Sequence, residues 1–122
     1  MTSPTQRSLA QLRKDGYLAA VVEKFNMFAH VRQDLFGVID LVAISEASNG
    51  VLGVQTTSIS NVSARIQKCL KEPAVTVWLK AGNRFEIWGW DVKKRLHHRN
   101  EYRLRIEKLV MQGKSIAVIS ST

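Results

Sequence analysis

The chain is short of the residues that build covalent or membrane-embedded scaffolds. It has a single cysteine, Cys69, so no internal disulfide can form, which fits a reducing compartment. No apolar run approaches the roughly 18 residues that cross a bilayer, and Met1 to Gln6 lacks the apolar core of a secretion signal. These absences predict a cytoplasmic protein with no membrane partner. There is no internal repeat, low-complexity tract or Pro/Gly-rich linker, so the 122 residues read as one domain, 1–122, with one sheet covered by a few helices. Also missing are a nucleophile elbow, a P-loop and a dinucleotide fingerprint, which excludes serine-type hydrolases, NTPases and dehydrogenases. The adjacent His97 and His98, with one distant cysteine, do not make a zinc site, which needs Cys/His pairs at set spacings.

Acids are scarce as well. Ten Asp and Glu stand against 18 Lys and Arg, for a net charge of +8 and a pI near 10.1. A basic excess of this size suits a polyanion, because each phosphate that is neutralised releases counterions. The excess is uneven. Residues 1–60 carry five cations and five acids, whereas residues 61–122 carry 13 cations and five acids. An acidic constellation thus precedes a basic platform, and a protein that brings a metal ion to a phosphate needs both.

Ser3-Pro4-Thr5 starts a helix that Gly16 ends. The spacing then predicts a strand from Tyr17 to Phe25, a loop from Asn26 to Phe36, and a buried strand over Gly37–Ile44. Ser48-Asn49-Gly50 marks a hairpin turn, Val51–Thr57 the returning strand. Ser60 or Asn61 caps a helix with Val62, Ile66 and Cys69/Leu70 toward the core. Ala74–Leu79 and Arg84–Trp90 read as a strand hairpin, Lys93–Asn100 as a basic loop, and Tyr102–Ile106 as a half-exposed strand. Ser115–Thr122 adds a short strand or frays. The order indicates an α/β (α+β) fold with a central mixed sheet of about five strands flanked by helices.

Asp40 carries the chemistry. A carboxylate within an apolar strand costs free energy unless it is paired, hydrogen-bonded or metal-bound. Gln55 and Thr57, two apart on the next strand, project from one face. Asp40, Gln55 and a nearby backbone carbonyl offer hard oxygen ligands suited to Mg²⁺ or Mn²⁺.

The run Asp40-Leu-Val-Ala-Ile, a turn, then Val-Leu-Gly-Val-Gln55-Thr-Thr57 resembles the core hairpin of the PD-(D/E)XK nuclease superfamily, where an Asp on one strand precedes Glu/Gln-x-Lys on the next. Fourteen residues separate Asp40 from Gln55. The helix order is similar to that of the Holliday-junction-resolvase-like branch, and Arg32-Gln-Asp-Leu-Phe-Gly-Val-Ile-Asp40 is similar to an R-x-D-L-F-G-x-x-D run in an uncharacterised group of such proteins. The likeness spans residues 8–90. It implies a restriction-endonuclease-like core, αβββαβ, and a Mg²⁺- or Mn²⁺-dependent DNA endonuclease, with RNA left open as a partner. Asp40 and Gln55 would hold the metal, the Thr56 carbonyl would complete its shell, and Glu23 would add a carboxylate. Asp34 is either a further ligand or a brace for Arg32 or the loop.

Thr57 departs from the pattern, standing where its lysine would orient or help activate the attacking water. A threonine hydroxyl binds water but brings no charge. Asn61, Arg65 and Lys68 share a helix face, and Arg65 or Lys68 would reach the phosphate instead. Arg32, Lys93, Lys94, Arg95 and Arg99 would join them on nucleic acid. Likeness to junction resolvases implies a homodimer, since two cuts need two sites.

Each residue also has a plainer reading. Asp40 alone reads as a structural acid paired with Arg65, Glu23-Lys24 as a solvated pair, and Cys69 as a small core residue. Trp88 and Trp90 share a strand face and read first as core, second as a base-stacking surface. The lost lysine also favours a nuclease-fold protein that binds nucleic acid or a partner protein without cleaving.

Overall fold

The computed structural model describes residues 2–94 and 99–121, so Arg95, His97 and His98 of the basic segment lie outside the described residues. Ser3 caps the first helix, α1 (Pro4–Lys14), its hydroxyl accepting from the Gln6 N–H, and Pro4 sits where a missing N–H costs nothing. Strand β1 (Leu18–Val21) follows. The strand expected from Tyr17 to Phe25 is split: Lys24–Asn26 forms β2, which pairs with β3 (Val31–Gln33) as a separate two-stranded hairpin inside the segment read as loop. Val22 breaks the run because its N–H turns to the Asp40 carbonyl.

The strand expected over Gly37–Ile44 is also shorter. Residues up to Asp40 form a tight turn closed by a Leu35–Ile39 bridge, with Phe36 and Gly37 both at positive φ, and β4 covers Leu41–Ser45. Glycine suits that conformation; a bulky residue such as Phe36 adopts it only when its surroundings impose it. β5 (Ser48–Ser58) begins at the residues expected to turn, after an irregularity between Ala43 and Ser45. A 3₁₀ turn, Ile59–Asn61, leads into α2 (Val62–Leu70), where Asn61 holds the cap position without a side-chain cap bond.

Ala74–Leu79 is not a strand. It lies within α3 (Pro73–Lys80), whose start is set by the Glu72 carboxylate accepting from the Ala74 N–H and by Pro73 in the first turn. Tertiary packing outweighs the β-branched residues here: Val75, Trp78 and Leu79 recur at i, i+3, i+4 and meet the core together. β6 (Arg84–Lys93), β7 (Glu101–Gln112) and β8 (Ser115–Ser120) complete the chain.

The main sheet has six strands in the order β1-β4-β5-β6-β7-β8, all antiparallel except β5 with β6, which α2 and α3 connect as a crossover. The expected helix, three strands and helix correspond to α1, β1-β4-β5 and α2, with β2 and β3 added, whereas the strand expected next, Ala74–Leu79, is α3 and β6 follows it. The central mixed sheet is one strand wider than expected, with the small hairpin added. Leu12 of α1 packs on Ala19, Leu41, Ala43, Leu52, Val54 and Trp88 on one face. Val62 and Cys69 of α2 and Val75 of α3 pack on Val38, Ile39, Phe85, Ile87 and Leu109 on the other. Gly89 permits the second packing, since a Cβ there would lie 2.3 Å from the Val62 Cγ2. No helix among the described residues is long and apolar enough to cross a membrane.

Candidate metal and phosphate site

Three carboxylates meet where the hairpin joins the sheet. Glu23 immediately precedes β2, Asp34 immediately follows β3, and Asp40 immediately precedes β4. A ligand oxygen from each lies within 4.8 Å of the others. The local cause is visible in the chain. Antiparallel pairing of β2 with β3 brings the hairpin's two feet together, and the Leu35–Ile39 bridge sets Asp34 beside Asp40. The Asp40 carbonyl accepts from Val22 at 2.8 Å and Glu23 at 3.3 Å, which fixes the first foot.

Asp40 is buried, and one of its oxygens accepts from the Thr56 N–H at 2.8 Å. Burial, first, and then the neighbouring Asp34 carboxyl push its pKa up to about 8; Glu23 adds to the rise, while the Thr56 N–H opposes it. Without a cation in the cluster, Asp40 holds a proton at neutral pH. The donor set fits a hard divalent cation, because three carboxylates that repel one another in a partly dry pocket are relieved by an ion bound to oxygen. Glu23, Asp34 and Asp40 are the residues that would hold it.

Gln55 lies next to Val54, whose carbonyl accepts from the Asp40 N–H at 2.9 Å, but its amide is already engaged. Its Nε2 donates to the Val38 carbonyl at 3.0 Å, and its Oε1 accepts from the Cys69 thiol at 3.6 Å. It therefore braces the turn before Asp40 and does not join the carboxylates as a ligand. A glutamate here would set a negative charge against the Val38 carbonyl, which accounts for glutamine physically. Thr56 touches Asp40 through its N–H and not through its carbonyl. Its side chain turns to the other face, where its hydroxyl meets Ser8.

Thr57 is buried on the Gln55 side and adds no charge. Glu23, not Asp34, pairs with Arg32, at 2.5 Å. No ion pair joins Asp40 to Arg65 among the described residues. Arg65 and Lys68 both act on the Cys69 thiol electrostatically, but burial dominates and pushes its pKa up to about 11, leaving an unreactive core thiol. Lys68 lines a shallow cleft of about 510 Å³ with Arg32, Gln33, Asp34, Phe36 and Gly37, so a cation from α2 shares that cleft with one of the three carboxylates.

β6 runs parallel to β5, so Lys93 and Lys94 lie beyond the sheet end where Thr57 and Ser58 finish β5; Lys93, Lys94 and Arg99 are exposed. Trp88 and Trp90 share one face as expected and are both used in packing beneath α1. The Trp90 indole donates to the Ser8 hydroxyl at 2.8 Å. Sequence reasoning left Asp34 as either a further ligand or a brace, and the structure sets it beside Asp40. The signal was Phe36-Gly37, a left-handed turn that sends the chain back within a few residues. The chain matches no family model, no curated protein and no solved structure.

Proposed function

We propose that this protein is a metal-dependent DNA endonuclease of the PD-(D/E)XK kind, acting inside the cell on phosphodiesters, with branched DNA such as a four-way junction as the favoured substrate. One observation carries the reading: three carboxylates from three segments converge at the head of β4, beside a cleft edged by Lys68. Glu23, Asp34 and Asp40 would bind Mg²⁺ or Mn²⁺, and the ion would supply Lewis-acid stabilisation and a more acidic bound water. Gln55 holds the turn that presents Asp40. Lys68, and Arg32 where it is not held by Glu23, would meet the scissile phosphate in place of the motif lysine. Thr57 would bind water by its hydroxyl. Lys93, Lys94 and Arg99 would hold the flanking duplex, and a homodimer would make paired cuts.

A second reading has its own support. Thr57 replaces the lysine, and without a cation the Asp40 proton and the Arg32 pair already offset part of the cluster's charge. On that reading the fold binds nucleic acid or a partner protein without cutting.

Labelled linear, nicked and four-way DNA, incubated with Mg²⁺ or Mn²⁺, separates the two. Cleavage that needs the metal and falls by about 10²–10³-fold in Asp40→Ala supports the nuclease, and Lys68→Ala should cost about tenfold or more. Salt-sensitive binding without products, unchanged in Asp40→Ala, overturns it in favour of the binding module.

A further inference from the structure

The β2–β3 hairpin stands apart from the rest of the molecule. Its substantial packing is between its own two strands, and its tip, Met27 to His30, carries Phe28 fully exposed at 100% and Met27 at 75%. Phe25 and Val31 on the strands are exposed as well. The tip is nevertheless a built turn. The Asn26 side-chain oxygen accepts from the Phe28 and Ala29 N–H groups, both at 3.0 Å, and His30 takes the left-handed conformation that closes it. An aromatic ring is thus held out in water by a structured support.

We propose that this hairpin is a base-stacking finger: Phe28 takes an unpaired or unstacked base at a DNA branch point and so seats the adjoining phosphate at the carboxylate cluster. The inference rests on the nuclease reading and adds the feature of the substrate that the enzyme would recognise. Three observations favour this occupant. The finger's two feet are Glu23 and Asp34, so whatever the tip grips is fixed relative to the candidate site. Residues 24–33 contain Lys24, His30 and Arg32 and no acid, which complements a phosphate backbone. Phe25 and Arg32 are cross-strand neighbours and therefore share a face, with the Arg32 guanidinium tied to Glu23 at the foot of the finger. Apolar side chains inserted between base steps are a general means of gripping distorted DNA. A second copy of the chain fits less well, because a stable interface takes roughly 800 Å² from each partner and the finger's few side chains supply a fraction of that.

The test uses the full chain in EDTA and a four-way DNA junction with aminopurine at the branch-point base, alongside a linear duplex of the same sequence. Wild type should perturb the aminopurine fluorescence. Phe28→Ala should abolish that signal and weaken junction binding about 5- to 100-fold while changing duplex binding less than about twofold, and Phe28→Trp should restore both. Equal junction binding by wild type and Phe28→Ala overturns the finger. So does a Phe28-dependent dimer in sedimentation without an aminopurine response, which would assign the tip to a second copy. Cleavage distinguishes this failure from failure of the nuclease reading: a chain that cuts junctions regardless of Phe28 keeps its activity and loses the finger, whereas a Phe28-dependent aminopurine signal without cleavage keeps the finger and loses the nuclease.

Discussion

Strand β5 separates two polar clusters that share its Thr56 and differ in kind. Toward α1, the Ser8 hydroxyl meets the Thr56 hydroxyl at 2.8 Å and accepts from the Trp90 indole, and every group is neutral. On the other side, Asp40 receives the Thr56 N–H but stands among Glu23 and Asp34, with Arg32 as the one cation in an ion pair with the cluster among the described residues. In the first cluster donors and acceptors match, so it ends in structure. The second has more negative charge than its partners answer. Surplus charge, more than buried polarity, separates a candidate site from a structural network.

The largest effect expected from that contrast concerns pH. Because the folded-state pKa of Asp40 is raised from 3.8 to about 8, the native state binds more protons than the unfolded state across that window. In EDTA, stability should therefore be highest on the acid side and fall as pH rises through the window, reaching its full loss above about pH 8. Asp40→Asn keeps an acceptor for the Thr56 N–H and removes the ionisation. In urea unfolding it should be more stable than wild type at alkaline pH by a few kcal/mol, each tenfold in proton affinity being worth about 1.4 kcal/mol. A gap that does not grow with pH would erase the asymmetry between the two clusters.

A smaller effect tests the cation. Millimolar Mn²⁺ at pH 8 should stabilise wild type by about 2–3 kcal/mol in thermal unfolding if its concentration is about 100-fold above the dissociation constant. Glu23→Gln and Asp34→Asn should each remove most of that gain, and Ser8→Ala none of it. An unchanged response in both carboxylate variants would move the ion elsewhere. The smallest effect belongs to the neutral cluster itself. Ser8→Ala leaves Thr56 and Trp90 without their shared partner and should cost about 1–2 kcal/mol in unfolding at any pH, with no change in DNA cleavage.

Much of the architecture was legible in local pattern. Ser3-Pro4 opened α1, Gly16 closed it, the run Val51–Thr57 marked most of β5, and alternation over Tyr102–Ile106 marked part of β7. Where the reading failed, a capping signal was outweighed by composition: Val, Thr and Trp in Ala74–Leu79 favour a strand, yet Glu72-Pro73 starts a helix and the core accepts it. Of the candidate site, Asp40, Glu23 and Asp34 do gather, and Lys68 shares a cleft with Asp34. Gln55, given equal weight as a ligand, serves as a brace because Val38 and Cys69 reach its amide first. Those partners lie 17 and 14 residues away, on separate elements, and no spacing along the chain foretells them.

By itself the sequence determined the charge imbalance, the start and end of α1, and the apolar runs that become buried strands. All of these depend on neighbours within a turn or a strand. Only the tertiary structure decided which carboxylates share a pocket, how far Asp40 is driven from its ordinary ionisation, and that a hairpin carries an aromatic ring into solvent from that pocket's rim. Ionisation and recognition depend on what surrounds a group in space, and folding brings those surroundings together from segments that local pattern treats as unrelated.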